Sequence, residues 1–182
     1  MNEDELDRAC VERCLRGDAD AFEEILDRYE RPLYNAIYRL TGNMDEARDL
    51  CQQAFLKAFE HLSTYDPSRR FFSWMYRVAM NETINHMNGR RKWEPLDESL
   101  PDVHASPEEE VQAIESEHEI QQALLALEMK YRLALIVRHF LDLSYAEASD
   151  VLDVPEKTVK SRLFTARQML REILEGQRHV VH

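Results

Sequence analysis

Glycine is scarce in this chain, with four among 182 residues. Glycine-rich phosphate loops are therefore absent, and β architectures dense in tight turns are excluded. Cysteine is sparse as well: Cys10, Cys14 and Cys51 are too few for a disulfide scaffold and suit a reducing compartment. No apolar run approaches the roughly 20 residues of a membrane span, and no leader opens the chain, so a soluble, cytoplasmic protein is expected. A catalytic set is also missing. No Ser/His/Asp order is plausible, and the acids sit on helical faces or between prolines, where solvation explains them. Neither enzymatic activity, a cofactor nor a metal is expected.

Long stretches of 3.6-residue periodicity and few β-branched runs predict an all-α fold. A first block of helices is expected over residues 4–93. It starts with a weak helix at 5–15, ended by Arg16-Gly17-Asp18, after which Asp18 or Asp20 can cap the next. Phe22, Ile25, Leu26, Tyr29, Leu33, Ala36, Ile37 and Leu40 mark a long amphipathic helix, which Pro32 is expected to kink or break. Gly42-Asn43 makes a turn. The following helix, 45–62, puts Ala47, Leu50, Cys51, Ala54, Phe55, Ala58 and Leu62 inward and Asp45, Asp49, Gln52, Gln53 and Lys57 outward. A loop at Tyr65-Asp66-Pro67-Ser68 precedes a helix over 72–89. Residues 94–110 carry Pro95, Pro101 and Pro107 and read as an acidic, extended linker. A second block, 111–177, should hold four helices, with a frayed tail at 179–182.

The net charge of −12 is distributed unevenly. Residues 1–65 carry −7, residues 66–93 carry +4, residues 94–128 carry −11, and residues 155–182 carry +3. Nucleic-acid binding needs a local positive face rather than a basic whole, although a pI near 5.0 argues against tight non-specific binding alone. A partner that helps to hold the nucleic acid is implied.

Residues 143–170 read LSYAEASDVLDVPEKTVKSRLFTARQML. Ser144 and Glu147 have the spacing of a capping box. Asp153 can take the left-handed backbone that ends a helix, and Pro155 suits the start of the next. Val159, Leu163, Ala166 and Leu170 form a buried stripe. Thr158, Lys160, Ser161, Arg162 and Arg167 lie off it, offering hydroxyls and cations to a duplex groove and its phosphates.

The second informative stretch is FFSWMYRVAMNETIN, residues 71–85. Met75, Val78, Ala79 and Ile84 can face a core, which leaves Phe72, Trp74, Tyr76, Arg77, Asn81 and Asn85 to explain. Arg69, Arg70, Arg90, Arg91 and Lys92 bracket them. Rings, amides and cations in one segment suit unpaired bases and their backbone. The competing reading is a core aromatic cluster with ordinary surface arginines, and for Trp74 both readings stand. Cys10 and Cys14, four apart, suggest either a thiol switch or half a metal site, or simply two small buried residues. The last reading is preferred because no third ligand is near.

The runs DADAFEEILDRYERPLYNAIYRL, DEARDLCQQAFLKAFEHL, FFSWMYRVAMNETINHMNGRRK and LSYAEASDVLDVPEKTVKSRLFTARQML, in this order, closely resemble the compact two-domain extracytoplasmic-function sigma factors of bacteria. The resemblance spans nearly all of residues 15–175. It implies a sigma2-like bundle and a sigma4-like helix-turn-helix domain that bind core RNA polymerase, through its β′ clamp helices and β flap, and promoter DNA. It also implies control by an anti-sigma factor. Polymerase contact falls on Asp45, Asp49, Gln52, Gln53 and Phe55. Contact with the −10 element falls on Phe72, Trp74, Arg77, Asn81, Asn85, Arg90 and Arg91, with the 66–71 loop receiving a flipped base. Contact with the −35 element falls on Thr158, Lys160, Ser161, Arg162, Phe164 and Arg167. Thr165 stands where many relatives carry Arg, Ala148-Ser149 replaces a usual Ile-Ala pair, and Glu156 replaces a frequent Gly. The alternative is a stand-alone helix-turn-helix regulator, which would leave DLCQQAF and FFSWMYRVAMN without a purpose.

Overall fold

Four helices, α1 (Glu3–Leu15), α2 (Ala21–Thr41), α3 (Met44–Glu60) and α4 (Phe71–Arg91), form the first bundle of the computed structural model, which describes residues 3–91 and 108–180. The expected stripe of α2 holds: Ile25, Leu33, Ala36, Ile37 and Leu40 are fully buried. Facing them are Leu50 and Ala54 of α3 and Phe71, Met75 and Ala79 of α4. Pro32 neither ends nor splits α2, because a helix packed along its length can tolerate one missing donor. Asp20 occupies the N-cap without a side-chain bond. Asp18 instead accepts from Arg13 Nε at 3.0 Å, so neither aspartate caps α2 as expected. Gly42 closes α2 at φ 73°, its N–H donating to Tyr38 O, and Asn43 caps α3 by accepting from the N–H groups of Asp45 and Glu46.

Helix α1, weakly patterned in sequence, is tied down by one buried carboxylate. Asp7 is fully buried, accepts from Tyr29 Oη at 2.5 Å and pairs with Arg28. Burial raises the Asp7 pKa, outweighing the opposing pull of Tyr29 and Arg28. The same surroundings push the Tyr29 phenol upward.

The second bundle comprises α5 (Glu108–Ala126), α6 (Met129–Leu135), a π-helical continuation Ile136–Phe140, α7 (Tyr145–Leu152) and α8 (Glu156–Val180). The single helix expected before the motif widens at its end, where the Leu141 N–H donates to Ile136 O at 3.1 Å, five residues back. Both halves of the Ser144/Glu147 capping box form, and Asp153 ends α7 at φ 51°. Ser149, one of the departures from the family pattern, donates from Oγ to Val154 O at 2.6 Å and so fastens the turn. Val159, Leu163 and Ala166 of α8 are buried. The expected linker, 94–110, lies almost entirely outside the described residues; α5 already runs from Glu108.

The two bundles are packed against each other along two seams. At the first, the C-terminal end of α2 docks on α5 and α6. Arg132, 4% exposed, donates to Leu40 O at 2.7 Å, Leu125 O at 2.5 Å and Leu127 O at 2.9 Å. Gln121 Nε2 reaches Tyr38 O and Arg39 O, and Arg39 pairs with Glu117 at 2.5 Å. A Cβ on Gly42 would stand 2.6 Å from Leu125 Cδ1, so this glycine serves both the helix end and the docking. At the second seam, the start of α4 meets α7: Arg70 pairs with Glu147, and Arg69 Nη1 lies 3.7 Å from Asp150 Oδ1.

Candidate nucleic-acid interface

A short, internally bonded loop presents the first candidate surface. Ser68 N–H donates to Asp66 Oδ1 at 2.9 Å, and Tyr65 Oη donates to Arg69 O at 2.6 Å. The backbone bond from Ser68 holds the Asp66 carboxyl below its ordinary range. Trp74 is half-buried, its ring 5.8 Å from that of Tyr65 and 5.5 Å from that of Phe71. It borders a cavity of about 370 Å³, lined also by Asp66, Arg69, Arg77, Asn81 and Asp150. Ligand clefts run from roughly 300 Å³ upward. Buried Arg77 Nε has no hydrogen-bond partner among the described residues, so an unsatisfied donor is held near an aromatic wall.

Trp74, Arg77, Asn81 and Asn85 reach solvent or this cavity. Phe72 and Tyr76 do not. Phe72 is 8% exposed under the Arg70 guanidinium, 4.1 Å from its ring centre, and Tyr76 packs edge-on to Tyr29. The aromatic segment thus serves both alternatives left open by the sequence. Phe71, Phe72, Met75 and Tyr76 are core, and Trp74 lies at the boundary. Burial drives the Tyr76 phenol up to about 12. The side chains of Arg90 and Arg91 lie outside the described part of the structure.

Helix α8 presents its polar face outward. Lys160, Ser161 and Arg167 are exposed, Thr158 and Arg162 half-exposed, and Phe164 stands 65% exposed. Lys160 rests between Glu156, 3.6 Å away, and the Tyr145 ring. Arg167 Nη2 lies 3.1 Å from His139 Nε2. Burial and the adjacent Arg167 and Arg138 lower the His139 pKa.

On the far side of the first bundle, Asp45, Asp49, Gln52 and Gln53 point outward from α3, whereas Phe55 is 5% exposed and belongs to the core. The α-helical period explains this: Phe55 shares the inward stripe with Cys51 and Ala58. Two apolar neighbours absent from the sequence-based assignment, Leu56 and Phe59, are instead 65% and 43% exposed. They edge a groove of about 630 Å³ between α2 and α3 that includes Leu26, Arg31, Tyr34 and Gln52. The available signal was an apolar residue on the polar side of α3.

Cys10 and Cys51 are buried and Cys14 is half-buried. Cys10 Sγ lies 3.2 Å from Glu24 Oε2. Burial raises both α1 thiols and carries that of Cys51 to about 12, which disfavours reactive thiolates. Among the described residues, no group of His, Cys, Asp and Glu is placed to hold a metal ion, and no helix is long and apolar enough to cross a membrane.

The family model for Sigma-70 region 2 matches residues 25–93, and that for Sigma-70 region 4 matches residues 117–170. The chain is 32% identical over 176 residues to the ECF RNA polymerase sigma factor SigW of Bacillus subtilis (strain 168), covering 90% of this chain and 94% of that one. It is 33% identical over 184 residues to the RNA polymerase sigma-H factor of Pseudomonas aeruginosa, covering 94% and 95%. Among solved structures, CnrH in complex with the cytosolic domain of CnrY is similar at a TM-score of 0.74 and 21% identity, covering 94% of this chain and 98% of that chain. The sigma factor RpoE of Bartonella quintana, in complex with the anti-sigma factor NepR, matches at 0.70 and 22% identity, covering 85% and 96%. At these identities the structural likeness bears on fold alone.

Proposed function

Because the chain belongs to the extracytoplasmic-function family of RNA polymerase sigma factors, we propose that two domains, residues 4–93 and 111–177, divide promoter recognition between them. The observation that carries this reading is the pairing, in one chain, of an aromatic cavity at Trp74 and a helix-turn-helix whose cationic face is open.

Helix α8 enters the major groove of the −35 element. Lys160, Ser161 and Arg162 meet base edges and phosphates, Phe164 offers an apolar contact, and Thr158 and Arg167 hold the backbone. At the −10 element, the Asp66 loop and Trp74 receive an extruded base, Arg77 supplies a donor inside the cavity, and Asn81 and Asn85 contact the strand along α4. Extruding a base costs a few kcal/mol. Stacking returns roughly 1–3 kcal/mol per base, so capture offsets opening at a few positions, and selectivity concentrates there. The chain performs no chemistry of its own, and no cofactor enters.

The groove between α2 and α3, with exposed Leu56 and Phe59, is the apolar centre of the polymerase-binding face. Asp45, Asp49, Gln52 and Gln53 form its polar rim. Leu56 and Phe59 make the apolar contact that the resemblance placed on Phe55, which is buried. Regulation by an anti-sigma factor fits the company of RpoE with NepR. Such a regulator acts by covering the same faces.

Run-off transcription on fragmented genomic DNA, with core polymerase alone and with this chain added, tests the reading. Discrete promoter-dependent transcripts only after addition are the expected result. Duplex binding with no transcript would leave a stand-alone DNA-binding regulator.

A further inference from the structure

The seam between α4 and α7 sets charges of opposite sign against each other at the strand-capturing surface. Arg70 is bonded on one side to Asp4 of α1, at 2.9 Å, and on the other to Glu147 of α7. Arg69 faces Asp150. Asp150 also lines the cavity at Trp74. A second hollow, of about 400 Å³, continues from Arg69 and Arg77 to Asp150, Asp153 and Pro155. The acidic edge of the helix-turn-helix therefore lies along the basic rim of the Trp74 cavity. The polar face of α8 is not part of this seam, and Lys160, Ser161 and Arg167 remain exposed.

We propose that this seam is an intramolecular lock. In it, Glu147 and Asp150 occupy, on Arg70 and Arg69, the positions that phosphates of a captured strand take. The argument rests on the reading of the Trp74 surface as the −10 site. A carboxylate pair and a phosphodiester compete for the same guanidinium donors, so the surface cannot bind both. The lock is asymmetric: it closes the single-strand site and leaves the duplex-reading helix available. The pairs are partly exposed, with side-chain exposures of 44% and 20% for Arg70 and Glu147 and 59% and 52% for Arg69 and Asp150. Such contacts are weak enough for polymerase or DNA to exchange.

The test uses the full chain without polymerase. Spin labels at Ser63 and Lys157, in a chain with Cys10, Cys14 and Cys51 replaced by alanine, report the distance across the seam. A fluorescein-labelled single-stranded 12-mer of random sequence and a random duplex report binding. Glu147→Gln/Asp150→Asn is the key variant, because glutamine keeps the capping-box acceptor while removing charge. The expected outcome is a longer, broader distance distribution and roughly three- to thirty-fold tighter single-strand binding, with duplex affinity and helix content unchanged. Asp150→Arg should open the seam, and adding Arg69→Asp should close it again. An unaltered distance in the neutralised variant overturns the proposal, as does an opened seam with unaltered single-strand affinity. Failure of run-off transcription would count against the −10 assignment, whereas the distance measurement reports the lock independently.

Discussion

The two seams joining the bundles are built from opposite materials. At α2 and α5/α6, one buried guanidinium satisfies three backbone carbonyls from two bundles. At α4 and α7, two arginines meet two carboxylates in partial contact with water. A buried cation whose partners would be orphaned by its removal is costly to lose. A solvent-exposed ion pair contributes about 0–1 kcal/mol. The same residue type therefore makes a buried joint that is costly to open in one place and a readily exchanged one in the other.

The largest effect should come from breaking the buried joint. Arg132→Ala should lower unfolding free energy by about 3 kcal/mol, read by urea denaturation, and should separate one transition into two as the bundles lose their coupling. Lysine should not rescue it, since one ammonium cannot span carbonyls on both sides of the seam. Beneath the exchangeable joint, Trp74→Ala should forfeit about 1–3 kcal/mol of stacking. Open-complex formation, followed by permanganate footprinting, should fall while polymerase affinity is kept; a parallel fall in melting temperature would make Trp74 a core residue.

Away from both seams, Leu56→Ser/Phe59→Ser should weaken core-polymerase binding about tenfold with the fold intact, measured by fluorescence anisotropy. Ser144→Ala, beside the exchangeable joint, should cost about 1 kcal/mol in thermal melts. The smallest effect is one of pH. Burial alone would raise the Glu147 carboxyl, but Ser144 and Arg70 together hold it below its ordinary 4.5. Its contribution is therefore fully present above pH 4.5 and is lost as the pH falls through its lower folded value. The cross-seam distance should lengthen under acid in the parent chain, and that response should be reduced in Glu147→Gln.

The helices were legible because their buried faces repeat at the helical period, and because caps such as Ser144 with Glu147 are local chemistry. The helix-turn-helix was legible for the same reason: Asp153 and Pro155 act within a few residues of themselves. The polymerase face was only partly legible. Period alone places Phe55 inward, yet Leu56 and Phe59 become a surface only when the groove between α2 and α3 exists. The aromatic segment divided in a way that composition could not foresee, with Phe72 covered by Arg70 and Trp74 left at the rim.

Sequence by itself determined two helical bundles, a capped helix-turn-helix and the segregation of charge, since each depends on residues within a few turns of one another. Tertiary structure alone decided that the bundles meet, that Arg132 is a fastener, and that Glu147 both caps α7 and grips Arg70. Those outcomes depend on groups tens of residues apart along the chain, such as Leu40 with Arg132 and Arg70 with Glu147. No local period encodes such contacts, because the free energy that selects them arises only when separate surfaces exclude water together.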